Sequence, residues 1–332
     1  MYSITINKFG NASEVFERVE QAIPEPGPAE VLVKVMATSY NPVDGHLREG
    51  RMGTLTGPFP ITLHGDVAGI VEAAGADVKD FKKGDHVYGW TGGFGRQDGA
   101  LSEFMRADQR LLAKMPGNLS FAEAAAIPLA ALTAYEALFE RVNITAGQKV
   151  LIYGGVGGVG HLAVQFAKLA GAEVYAVVSK DTDLELARSL GADYVINYNK
   201  QSVEDYLQQY TGGAGFDIVF DTVGGPNLPN SFAAVKLFGS IVTTIGMSRQ
   251  DLSPLHFKGV SFHVVLLVMA IAHNVDTRLQ AYGKNLGRIT EWAEQGKIKV
   301  LIDERRFSFD EVSAAHSFAE SGQSRGKVVI ER

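Results

Sequence analysis

The sequence predicts a two-domain α/β protein, with a mainly β domain opening the chain and a doubly wound parallel sheet following it. Three observations carry this. The 332 residues are more than one core commonly serves. Up to about residue 120, short apolar runs alternate with turns and show little helical period. From Lys149 the pattern becomes strand, glycine turn, helix, repeated in series, as a parallel sheet with helices on both faces requires.

In chain order, Val31–Ala37 and Asp66–Val71 are expected strands, the second closed by Ala73-Ala74-Gly75. The proline-rich stretch before Glu30 cannot be a central strand. Ser120 followed by Glu123 forms a capping-box pattern ahead of an alanine-rich run, and Leu129–Arg141 carries a second helical pattern. The second domain then reads as a strand over VLIYG, a helix over Val159–Leu169 and a strand over Glu173–Val178. Helices at Leu184–Leu190, Ser202–Tyr210 and Pro229–Leu237 alternate with strands at Tyr194–Ile196, Phe216–Phe220 and Ser240–Thr244. Helices at Asn285–Gln295 and Phe309–Ser321 and a strand at Lys327–Ile330 break the alternation, which suggests that the tail returns to the first domain.

Composition narrows the chemistry. The absence of cysteine excludes disulfides, thiolate catalysis and four-thiolate zinc. A formal charge of −6 without a basic block gives no support for nucleic-acid or anionic-membrane partners. The opening MYSITINKFG lacks a basic start followed by an apolar run, so a soluble, cytoplasmic protein is expected. The greasy stretch from Gly259 is too short to span a membrane and reads as core or interface.

The strongest motif is Gly155-Val156-Gly157-Gly158-Val159-Gly160, placed between a strand and a helix. Glycines there let the backbone approach a pyrophosphate, whose charge the helix N-terminus stabilises. The second strand ends in Ser179-Lys180 with no acid to hold ribose hydroxyls, so the expected cofactor is NADP (NADPH) rather than NAD, although Asp181 and Asp183 follow at once. The aromatic, glycine-rich run Tyr88–Gly95 is a candidate wall for a substrate cleft. Arg48 and Arg51 are read as loop residues within reach of an anionic substrate group.

Asn41-Pro42-Val43-Asp44, PITLHGDVAGIVEAAG, LTAYEAL from Leu132, the glycine turn, GADYVINY, FDIVFDTVGG and the terminal GKVVI occur together in an order that resembles the medium-chain dehydrogenase/reductase superfamily. Within it the likeness is to the zinc-free quinone oxidoreductase branch related to zeta-crystallin. The resemblance implies a GroES-like, mainly β catalytic domain from residues 1–124 and 270–332. It also implies a Rossmann NADP-binding domain over 125–269, with substrate in the cleft.

Asn41 stands at the position of the zinc enzymes' first cysteine ligand, and their Gly-His-Glu motif is here His64-Gly65-Asp66, so no metal is expected. Asn41 is implied beside the nicotinamide, with Tyr40 as the nearest hydroxyl for proton donation. By the same resemblance Thr133, Tyr198, Val223, Gly224, Thr244, Ile245, Phe262 and Lys327 join the glycine turn, Ser179 and Lys180 in holding the cofactor. Without a metal to polarise a simple carbonyl, conjugated acceptors are the easier substrates. The implied activity is NADPH-dependent quinone reduction. The alternatives are reduction of an enone or enoyl carbon–carbon double bond and non-enzymatic NADPH binding. A homodimer using the apolar 260–272 segment is implied as well.

Overall fold

The computed structural model describes residues 1–95 and 97–332. It comprises two compact units, Met1–Leu132 with Leu267–Gly296 and Val300–Arg332, and Thr133–Leu266 with Lys297–Lys299. The division falls after Leu132 rather than at 124, because the Phe121–Ala125 helix packs on the Glu30–Ser39 and Asp66–Ala74 strands of the first unit. Residues 297–299 go with the second unit, where Gln165 accepts from the Lys299 amide at 2.6 Å and donates to the Lys299 carbonyl at 2.9 Å.

The second unit is a six-stranded parallel sheet of β1 (Lys149–Tyr153), β2 (Glu173–Val178), β3 (Tyr194–Asn197), β4 (Phe216–Asp221), β5 (Val235–Thr243) and β6 (Ser261–Val264). Their spatial order is β3-β2-β1-β4-β5-β6. The strands are nearly all apolar because helices cover both faces. These helices are α1 (Gly160–Leu169), α2 (Leu184–Ser189), α3 (Val203–Thr211), α4 (Leu228–Ala234) and α5 (Ser253–Lys258). Ser202 caps α3, accepting from the Asp205 amide at 3.2 Å, and Gly212 ends it in the left-handed region. Leu151, Tyr175, Val177, Phe216, Val219, Phe232 and Ile241 are buried in the core beneath.

Two expectations shift here. The helix expected over Pro229–Leu237 stops at Ala234, and Val235 is already strand. Pairing then jumps from Phe216↔Val235 to Ile218↔Ser240, so residues 236–239 loop out, with Phe238 at φ +57°. The apolar segment after Gly259 supplies an edge strand, β6, which pairs in parallel with β5.

In the first unit, a sheet runs through the strands Phe307–Ser308, Val329–Glu331, Glu30–Ser39, Asp66–Ala74, His86–Trp90 and Leu112–Lys114, and Phe104–Asp108 also pairs with Glu30–Ser39. A three-stranded sheet of Phe16–Glu20, Tyr2–Ile6 and Ile61–Thr62 completes the β structure. The C-terminal strand lies antiparallel to the end of Glu30–Ser39, with Val329 opposite Ser39. That pairing carries Lys327 to Asn41. The helix expected over Asn285–Gln295 extends from Asp276 to Glu294, burying Leu279, Tyr282, Leu286, Ile289 and Ala293 at helical spacing. A helix at Pro42–Arg48, not anticipated, begins with proline at its first position. Among the described residues no helix is long and apolar enough to cross a membrane.

Candidate active site

Two constellations carry chemistry, one in each unit. In the first unit a set of polar side chains is buried around Asn41. The Asn41 backbone N–H donates to Asp44 Oδ2 at 2.8 Å, and its Nδ2 donates to Asp66 Oδ2 at 2.7 Å. Lys327 Nζ donates to Asn41 Oδ1, to the Tyr40 carbonyl at 2.8 Å and to Asp66 Oδ2 at 3.4 Å. Asp66 also accepts from Ser39 Oγ at 2.7 Å and from the Leu129 amide at 2.8 Å. A lysine can only donate and a carboxylate only accept, so the Asn41 carboxamide has one possible orientation.

Beside this cluster, His64 and His316 meet Nε2 to Nε2 at 2.9 Å, both fully buried. The Thr38 hydroxyl donates to the Asp66 carbonyl at 2.5 Å, so at 3.2 Å it accepts from His64 Nδ1–H. His64 Nε2 then accepts from His316 Nε2–H, and the unprotonated His316 Nδ1 faces Glu320 at 3.8 Å. Burial holds both imidazoles below their ordinary pKa, which keeps this neutral arrangement. Arg48 Nη2 lies 3.0 Å from Glu320 Oε1, and this ion pair keeps the Glu320 carboxylate charged beside the neutral imidazole. Burial pushes the Asp44 carboxyl up to about 7; the Asn41 amide and Lys327 oppose the rise and Asp66 adds to it.

In the second unit the glycine turn joins β1 to α1. The left-handed residue is Gly154, at φ +71°, one position before the expected motif. A Cβ on Gly160 would stand 2.0 Å from the Gly154 carbonyl, and one on Gly155 would stand 2.8 Å from Ala176 Cβ, so both positions exclude side chains. The amides of Gly158 and Val159 have no backbone acceptor among the described residues. They precede a ten-residue helix, a donor arrangement that fits a pyrophosphate.

The carboxyl ends of the neighbouring strands gather the other expected positions. Ser179 and the exposed Lys180 follow β2, and the exposed Tyr198 follows β3, its amide bonded to the Val178 carbonyl at 3.2 Å. Asp181 does not oppose a phosphate at Lys180, because its carboxylate is held by Lys200 and by Asn197 Nδ2 at 2.8 Å. Val223 and Ile245 stand exposed after β4 and β5. The Thr244 hydroxyl donates to the Thr222 carbonyl at 3.4 Å, tying the two loops. A Cβ on Gly224 would stand 2.4 Å from the Ile245 carbonyl. Thr133 is buried in the Pro128–Tyr135 helix.

Several expectations need correction. Tyr40 is not placed as a proton donor, since it is nearly buried, its hydroxyl donates to Glu320 Oε1 at 3.2 Å, and burial raises its pKa. Lys327 does not present its ammonium to a cofactor, because it is buried and its three donors are engaged within the first unit. Phe262 lies two residues short of the end of β6, where its ring packs edge-on to Phe232 of α4. Tyr88, Trp90 and Phe94 are core residues rather than a cleft wall, and Gly93 lets its chain pass against the His64 carbonyl. Arg48 is a buried helix residue paired with Glu49 and Glu320. A pocket of about 310 Å³ opens among Met1, Gln21, Pro60, Gln97 and Arg106, and none of the residues clustered around Asn41 lines it.

Sequence reasoning passed over three buried polar positions. Asp221 is fully buried and accepts from the amides of Val223 at 2.9 Å and Gly224 at 2.7 Å and from Ser231 Oγ at 2.7 Å. Its signal was an acid closing an otherwise apolar strand. His316 stood in the apolar stripe of its helix beside Val312 and Ala315. Asp44 stood in the quoted Asn41-Pro42-Val43-Asp44 motif without a role of its own.

A parallel sheet in the order β3-β2-β1-β4-β5-β6, with a glycine turn opening its first helix, defines a dinucleotide-binding unit. Comparison with known proteins agrees. Residues 27–117 match the alcohol dehydrogenase GroES-like domain, and residues 190–330 match the zinc-binding dehydrogenase family. A tomato (Solanum lycopersicum) 2-methylene-furan-3-one reductase is 38% identical over 315 residues, covering 93% of this chain and 73% of the relative. The chloroplastic NADPH-dependent alkenal/one oxidoreductase of Arabidopsis thaliana is 35% identical, with the same coverage of each chain. The crystal structure of Escherichia coli quinone oxidoreductase complexed with NADPH superposes with a TM-score of 0.88 at 26% identity, covering 100% of both chains. The chain belongs to the medium-chain dehydrogenase/reductase superfamily, and it is an oxidoreductase.

Proposed function

We propose that the protein uses NADPH to reduce conjugated carbonyl compounds, quinones and enones, without a metal. The carrying observation is the Asn41–Asp66–Lys327 cluster. One matched family description names zinc, but the donors here do not fit it. Asn41 replaces a thiolate, both ring nitrogens of His64 are engaged in hydrogen bonds, and an ammonium already neutralises Asp66. Among the described residues no group of three or more His, Cys, Asp or Glu is arranged to hold a metal ion. With no Lewis acid, an isolated carbonyl is a poor hydride acceptor, whereas a conjugated one spreads the developing charge.

NADPH supplies the hydride when bound. The amides of Gly158 and Val159 hold its pyrophosphate, and Ser179, Lys180 and Tyr198 hold its additional phosphate, with Lys200 neutralising Asp181 nearby. Within the first unit, Asn41 keeps one Nδ2 proton uncommitted to Asp66 and offers it to the oxygen of the conjugated acceptor. Between the two acceptor classes, the relatives at 38% and 35% identity favour the enone, since their names specify a furanone reductase and an alkenal/one oxidoreductase.

We further propose a homodimer formed along the outer edge of β6, where Val264 and the following Leu266 are exposed. Light scattering that gives a single-chain mass would remove this assembly. The functional reading is tested by parallel assays of NADPH oxidation with 1,4-benzoquinone and with methyl vinyl ketone. Turnover of the enone above the quinone is expected. Tight NADPH binding with turnover of neither would make the chain a binding protein instead.

A further inference from the structure

Lys327 is the only buried lysine among the described residues, and the Asp66 carboxylate paired with it is fully buried too. Burial lowers the lysine's pKa, and Asp66 and Asp44 pull it back toward the charged form. Buried ion pairs seldom raise stability above that of an apolar pair of similar volume, so this one calls for a role beyond stability. Its geometry supplies one. Three N–H groups meet three oxygens from three points of the unit, the Tyr40 carbonyl, Asn41 Oδ1 and Asp66 Oδ2. The ammonium therefore gathers oxygens around a positive centre, as a metal ion would.

We propose that Lys327 is the built-in cation of the catalytic unit, a positioning residue that fixes the Asn41 carboxamide and denies the pocket to a divalent metal. Asn41 Oδ1 accepts from Lys327 while Nδ2 donates to Asp66, so the pair clamps both ends of the amide. Without the ammonium Asn41 Oδ1 loses its donor and the amide is held at its Nδ2 end alone, while Asp66, Asp44 and His64 lose the positive charge that repels an entering cation. The role in turnover rests on the reading of Asn41 given above; the exclusion of metal does not.

The test compares the full chain with Lys327→Met, Asn41→Ala, their double variant, and the charge-balanced Asp66→Asn/Lys327→Met. Each is assayed for kcat, for KM of NADPH and, after incubation with zinc chloride and gel filtration, for bound zinc by mass spectrometry. Lys327→Met should lower kcat roughly 10- to 100-fold with the KM for NADPH within about 3-fold, and adding Asn41→Ala should lower kcat by no more than about 2-fold further. The charge-balanced variant leaves no buried charge unpaired, so it should melt near the parent temperature and still turn over slowly. It keeps the test alive if Lys327→Met does not fold. The parent should retain less than about 0.1 equivalent of zinc. Multiplicative losses in the double variant, parental kcat in the charge-balanced one, or one equivalent of zinc in the parent would each overturn the proposal. Zinc content is read without turnover, so inactivity toward both acceptors would count against the functional reading and leave the metal-exclusion result to stand or fall by itself.

Discussion

The two units prepare their polar groups by opposite means. Around Asn41 the chain buries charges and satisfies them with one another, so that Lys327, Asp66, Ser39 and Asn41 hold a fixed arrangement. At the end of β1 it removes side chains instead, and Gly154, Gly155 and Gly160 let the backbone itself become the binding surface. The first design is vulnerable to a lost charge. The second is vulnerable to a single added methyl and nearly indifferent to charge.

The largest expected effect is in the first design. Asp66→Ala leaves the Lys327 ammonium buried without its counter-charge and should cost about 3–5 kcal/mol, measured from the urea midpoint. A loss well under that range would mean that the cluster is not electrostatically tight. In the second unit, Gly160→Ala places a methyl 2.0 Å from the Gly154 carbonyl and should weaken NADPH binding on the order of 100-fold in a fluorescence titration, about 2.7 kcal/mol. Unchanged affinity would show that the turn does not form the cofactor cradle.

Asp221 is the exception that sharpens the contrast, a charge used within the glycine-built unit. Asp221→Asn replaces one carboxylate oxygen with a donor facing amides or the Ser231 hydroxyl, and should cost about 1–3 kcal/mol of unit stability. Lys180→Ala should raise the KM for NADPH about 10-fold and leave that for NADH unchanged, since only the former carries the phosphate. An equal rise for both would place Lys180 outside phosphate recognition.

A pH dependence probes the first design once more. The Asp44 pKa is raised from 3.8 in the unfolded chain to about 7, so the folded state binds more protons between these values. Its contribution to stability is complete below pH 3.8 and is lost as pH rises to about 7. Denaturation of Asp44→Asn and the parent across that window should show the parent losing stability relative to the variant as pH rises. A constant difference would place the Asp44 carboxyl in a wetter setting than its burial indicates.

The alternation of the second unit was readable because strands covered on both faces are mostly apolar and glycine turns separate several of them from the following helix. The break between Ala234 and Val235 was not, since small and apolar residues serve a helix end and a buried strand start equally well. In the site, the glycine turn was legible from local order alone. Lys327 was placed on the cofactor because nothing local in GKVVI shows that antiparallel pairing of the last strand delivers its ammonium to Asn41, 286 residues earlier. His64 and His316 are separated by 252 residues, and their contact leaves no trace in either neighbourhood. The aromatic run at Tyr88–Phe94 misled in the other direction, because a buried sheet end has the same composition as a hydrophobic cleft wall.

The most direct test of the central claim is NADPH consumption by the chelator-treated full chain with an enone and a quinone as parallel acceptors. Metal-free transfer predicts that the rate with the conjugated acceptor is undiminished by the chelator and unchanged when zinc is returned. A rate that vanishes on chelation and is restored by one equivalent of zinc would contradict it.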